Sequence, residues 1–145
     1  MSPDVCKKFP AGREELAVSY YFSKHLNTSF DEAVDKVTAA LKKEGFGVLT
    51  EIDVQKALRE KIGVEFRKYR ILGACNPHYA YKALQAEDKI GTMLPCSVIV
   101  QEHAAGDVEV AAIDPVASMQ AVENPSLMPL AFEVQGKLKR AVESL

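Results

Sequence analysis

No apolar run in this chain extends beyond about ten residues, roughly half of what a hydrocarbon core demands, so no membrane span is expected. An excess of charge is missing too. With 18 Lys and Arg against 20 Asp and Glu, the formal net charge is -2, which lacks the basic surplus or stripe that nucleic-acid binders show. Cysteine is scarce, and an odd set of three at wide spacing builds no disulfide framework. It suits a reducing compartment, so a cytoplasmic protein is expected. Lys7 and Lys8 are followed by no apolar stretch, and residues 1–13 therefore read as a flexible tail and not as a secretory signal. There is no Gly-rich phosphate loop. The acidic pairs Glu14-Glu15, Asp31-Glu32 and Glu87-Asp88 are neighbours in sequence, not groups opposed across a cleft, so they identify neither a glycosidase nor a protease.

What is present is enough apolar material, 48% of 145 residues, to fill one core over residues 14–145. Alternation of Leu16, Val18, Tyr20 and Phe22 with small or polar residues predicts a strand over 15–23, with those four on its core face. Ser29 and Glu32 form a capping box ahead of a helix over about 30–44, and Gly45 is placed to end it in a left-handed conformation. A short strand over 46–52 follows. Asp53 then caps a brief helix that Gly63 stops. Residues 66–75 read as a strand, 97–103 and 108–113 as a hairpin joined through Gly106, and Leu127 to Leu145 as an amphipathic helix. The four-residue link from Ala104 to Asp107 is too short for a parallel crossover. The expected architecture is α+β: a mixed, largely antiparallel sheet with helices packed mainly on one face.

The densest group of chemically distinctive residues is Gly73-Ala74-Cys75-Asn76-Pro77-His78, followed by Leu94-Pro95-Cys96. Asn76 has the side-chain acceptor favoured at an N-cap, and Pro77 lacks the donor that the first helical position would orphan. The cluster is thus a strand-to-helix turn. His25 and His103, with Glu102 beside the latter, read as solvated strand ends, because neighbours on a strand face opposite ways.

The segments Glu51-Ile52-Asp53-Val54, Arg70 to Pro77, Ala83-Leu84 and Leu94 to Val100 closely resemble the bacterial and archaeal family called domain of unknown function 302. The likeness covers about residues 15–115. It implies a compact α+β domain, often a homodimer, and no particular activity. The family's Cys-Asn-Pro motif maps onto Cys75, Asn76 and Pro77, and its second cysteine onto Cys96. Ser97 stands where many members have a small polar residue, often Asn.

Several roles are open to the cluster. Cys75 precedes a helix start, whose dipole favours thiolate. If Cys75 and Cys96 sit on adjacent strands, they form a dithiol pair, or join His78 as soft metal ligands. Against this, buried cysteine is common as a small core residue. A second reading places a carboxylate or phosphate at the helix start, aided by Arg70 or Lys82; Tyr21 and Tyr69 are separate candidates for pocket walls. A third makes oligomer formation the role, since Tyr21, Val98 to Val100 and the C-terminal stripe exceed what one layer hides. The expectation is a homodimer that binds a small molecule or an anion at Cys75, Asn76, Pro77, His78, Cys96, Tyr69 and Arg70. A thiol or metal protein is the alternative; no cofactor is specified.

Overall fold

A computed structural model describes residues 19–145, so the expected tail and the first part of the expected first strand lie outside the described residues. The elements in order are β1 (Tyr21–Leu26), α1 (Phe30–Lys43), β2 (Gly47–Asp53), α2 (Val54–Ile62), β3 (Tyr69–Cys75) and α3 (Pro77–Ala86). A 3-10 turn (Asp88–Met93), β4 (Cys96–Ala104), β5 (Asp107–Ile113), α4 (Pro115–Met119) and α5 (Leu127–Glu143) complete the chain. Among the described residues, no helix is long and apolar enough to cross a membrane.

The strands form one sheet in the order β1-β5-β4-β3-β2. Every described pairing is antiparallel, so the sheet is α+β in type without the parallel component of the expected mixed sheet. The hairpin strands β4 and β5 take central places, and β1 closes one edge against β5 although 80 residues lie between the end of β1 and the start of β5.

Local signals act where expected, with one change of partner and one of boundary. The Ser29 hydroxyl accepts from the Glu32 N–H at 3.2 Å, but the Glu32 carboxylate accepts from the Thr28 hydroxyl at 2.6 Å, leaving the capping box half made. Gly45 and Gly63 take positive φ, +89° and +66°, as helix-ending glycines do. Tyr20 is 65% exposed and precedes β1, so it is no core residue. The strand begins one residue later, and Phe22 is only half-buried.

Strand parity builds the core. Leu72 and Ala74 of β3, Val98 and Val100 of β4, and Val108, Val110 and Ala112 of β5 point to one face. There they meet Phe30, Val37 and Leu41 of α1 and Leu138, Ala141 and Val142 of α5. A smaller cluster of Ala83, Ile90, Met119, Leu127 and Ala131 fills the space between α3, α4 and the start of α5. The opposite sheet face carries Ile71, Ile99, Gln101, Glu109, Ala111 and Ile113, all half-buried.

Candidate functional site

The turn between β3 and α3 consists of one residue, Asn76, in an extended conformation (φ -103°, ψ 104°). Pro77 opens the helix as expected. Asn76 does not cap it: its side chain makes no hydrogen bond to the α3 backbone. Instead the buried amide donates from Nδ2 to the Glu44 carbonyl at the end of α1, 3.3 Å away. Tertiary contact has overridden the local cap.

β4 starts beside this turn, with Cys96 paired to Ala74, and is preceded by a cis Leu94-Pro95 peptide. Gly73 permits the close fit. A Cβ there would lie 2.2 Å from Thr50 Oγ1 and 2.8 Å from Pro95 Cγ, far inside contact distance.

Cys75 and Cys96 line the same cavity, of about 50 Å³, together with Phe46, Ala74, Tyr79, Ala83, Met119, Leu127, Ala131 and Val134. Its walls draw on both hydrophobic clusters, so it occupies the seam between them. Pro95, exposed, brings the rim to the surface. Both thiols are free. Burial pushes the Cys96 thiol up to about 11, and the nearby Cys75 adds to the rise, because a low-dielectric wall penalises thiolate and a second negative charge would compound the penalty.

The other candidates do not join them. His78 lines a separate open depression with Lys43, Lys82 and Lys137; only Asn76 and Tyr79 border both spaces. The Cys75, His78 and Cys96 set suggested as metal ligands is therefore not assembled around one cavity. Tyr69 and Arg70 begin β3 while Cys75 ends it, so at about 3.3 Å per residue they stand roughly 17–20 Å from the turn. Arg70 is moreover occupied. Its Nη1 lies 2.8 Å from Glu51 Oε1 and its Nη2 3.8 Å from Asp53 Oδ2, with the guanidinium over the Phe30 ring at 5.3 Å. Burial raises the Tyr69 phenol above its ordinary range, against the opposing pull of Arg67.

A second constellation lies across the sheet. The His25 and His103 rings stack with centroids 5.6 Å apart, and both reach Glu109, His103 Nε2 at 2.9 Å from Oε1 and His25 Nε2 at 3.7 Å from Oε2. His25 Nδ1 pairs with Asp107 Oδ1 at 2.9 Å. That hydrogen bond, with the charges of Glu109 and Asp107, outweighs partial burial and raises the His25 imidazole above 6.5. These histidines were expected as unrelated strand ends. Strand parity was the available signal, since His25, His103 and Glu109 share the face of Ser23, Gln101 and Ala111. Register was the missing one.

The model of the family described as "Domain of unknown function DUF302" matches residues 22–145, and the chain belongs to that family. A solved structure, that of an uncharacterized conserved protein DUF302 from Bacillus stearothermophilus, is similar at 27% identity and a TM-score of 0.80. The match covers 87% of this chain and 98% of that one. No curated protein matches.

Proposed function

We propose that this domain is a binding module that receives the apolar end of a small molecule in the Cys75–Cys96 cavity. The observation carrying the reading is a gap with nearly all-apolar walls at the seam of two packed clusters, with its rim at the surface. Interiors seldom leave such space. Its size limits the occupant: a cavity of about 150 Å³ holds benzene, so about 50 Å³ admits a short alkyl or methyl-bearing end and not a whole metabolite. The lysines bordering the neighbouring depression favour a ligand whose exposed part is anionic.

The test is a melting screen with short-chain alcohols and carboxylates, alongside native mass spectrometry of gently purified protein. Stabilisation of the wild type that disappears in Ala83→Leu, which fills the space, supports binding. Clean apo protein that no compound stabilises, together with a more stable Ala83→Leu, would leave only a packing gap.

The homodimer expectation finds support in the half-buried Ile71, Ile99 and Ile113 on the sheet face away from α1 and α5. Light scattering over a range of concentrations tests it, and a monomer throughout removes it. The redox alternative is supported by two free thiols at one cavity. It is weakened by the high Cys96 pKa, which leaves little thiolate there at neutral pH. Thiol titration without reductant tests it: one fast thiol that Cys75→Ser abolishes would favour chemistry, whereas slow thiols would oppose it.

A further inference from the structure

We propose that His25, His103 and Glu109 bind a divalent transition metal of the zinc class, with Asp107 as the positioning residue. The site is built by register. His25 of β1 stands opposite Glu109 of β5, Glu109 stands opposite Gln101 of β4, and His103, at the irregularity between Glu102 and Ala104, reaches the same carboxylate. Three strands thus deliver two imidazoles and one carboxylate to one point, with their ligand atoms all within 4.8 Å of one another.

The spacing suits a small ion. Bonds of about 2.0–2.1 Å in a tetrahedron put ligand atoms about 3.3 Å apart. The separations from the two Glu109 oxygens to the imidazoles, 2.9 Å from Oε1 to His103 and 3.7 Å from Oε2 to His25, bracket that value. Only small side-chain shifts would be needed.

The surroundings orient the ligands. Asp107 Oδ1, 2.9 Å from His25 Nδ1, holds the Nδ1–H tautomer and leaves Nε2 as the metal-binding atom. Gln101 Nε2 donates to Glu109 Oε1 at 3.0 Å, fixing the carboxylate. Glu109 is 17% exposed and the His25 side chain 58%, so the carboxylate is held in the sheet while an ion can enter from solvent. Each imidazole has a carboxylate 2.9 Å away, Asp107 for His25 and Glu109 for His103, and the Nε2 edge of His25 also faces Glu109 at 3.7 Å.

The donor set selects the metal class. Two nitrogens and one oxygen suit zinc and its neighbours; calcium and magnesium want oxygen throughout, and copper(I) wants sulfur. Three protein ligands also leave a coordination position open. The site does not depend on the ligand cavity. Cys96 begins β4 and His103 lies seven residues along it, so the two are roughly 23 Å apart.

The experiment is calorimetric titration of chelator-treated, tag-free full chain with Zn²⁺, and absorbance titration with Co²⁺. The expected result is one equivalent per chain, weakened at least about 100-fold in His25→Ala, His103→Ala and Glu109→Gln, and about 10–100-fold in Asp107→Asn. The variant with Cys6, Cys75 and Cys96 all changed to Ser should bind as wild type does, and the Co²⁺ spectrum should lack thiolate charge-transfer bands. Melting curves check that each variant is folded. Stoichiometric binding lost only with the cysteines, binding unaffected by the histidine changes, or no saturable binding would each overturn the proposal. If the cysteine-free variant fails to fold, thiolate bands in the wild-type Co²⁺ spectrum overturn it and their absence supports it.

Discussion

The Asn76 side chain holds the Glu44 carbonyl across 32 residues of sequence, tying the start of α3 to the end of α1. Its Nδ2 also lies 3.1 Å from where a Cβ on Gly45 would sit, so the turn after α1 and the turn before α3 are fitted to each other. Asn76 is 7% exposed, and water cannot easily replace that bond.

Substitutions at Asn76 separate this tie from a capping role. Asp is as good an N-cap as Asn, so a cap would tolerate Asn76→Asp. A tie to a carbonyl would not, because Asp presents an acceptor to an acceptor and buries a charge. We expect Asn76→Ala to lose about 1–3 kcal/mol and Asn76→Asp to lose more, measured by urea unfolding. Equal stability of Asp and wild type would contradict the assignment.

Gly73→Ala should be destabilised by about 1–3 kcal/mol or more, because the new Cβ meets Thr50 Oγ1 and Pro95 Cγ. Thr50→Ala in the same chain should recover part of the loss by removing the nearer clash. Additive losses in that double-mutant cycle would show that the two residues do not meet.

Cys96 gives a pH signature. A thiol with a folded pKa near 11, above its ordinary 9.0, keeps its proton in the fold while the unfolded chain ionises. The contribution is therefore whole below about pH 9 and fades as pH rises towards 11, by up to about 3 kcal/mol. The difference between wild type and Cys96→Ala in denaturant midpoints from pH 8 to 11 isolates it from other titrating groups. A pH-independent difference would oppose the assigned burial.

Ile99→Lys tests the dimer reading without touching the helix-side core. The charge falls in the middle of the half-buried face, where a second copy would have to desolvate it. We expect a folded protein that scatters as a monomer at concentrations where the wild type scatters as a dimer. An unchanged scattering mass would place any dimer contact elsewhere.

The helix starts and stops were legible because their chemistry is local: Ser29 caps α1, Gly63 ends α2, and Pro77 begins α3. The hairpin was legible from Gly106 and the short link around it. The candidate site was read in part. A Cys75–Cys96 pair was open only on condition that their strands are adjacent, and β3 and β4 are adjacent. Grouping Tyr69 and Arg70 with them failed because a strand carries its two ends far apart, however close they look in sequence. His78 left the group because the first turn of α3 turns it away from the cavity.

By itself, then, the order of residues determined the helices α1, α2, α3 and α5, the strand alternation, the antiparallel hairpin and the place of the Cys75–Asn76–Pro77 turn, all of which depend on interactions within a few residues; the short helix Pro115–Met119 was not read from it. Only the tertiary structure decided that Asn76 serves Glu44 and not its own helix, that two hydrophobic clusters leave a gap beside the cysteines, and that His25 meets His103 over Glu109. Those contacts join segments far apart in the chain. Their geometry is set by which strands pair and in what register, and neither spacing nor composition records that choice.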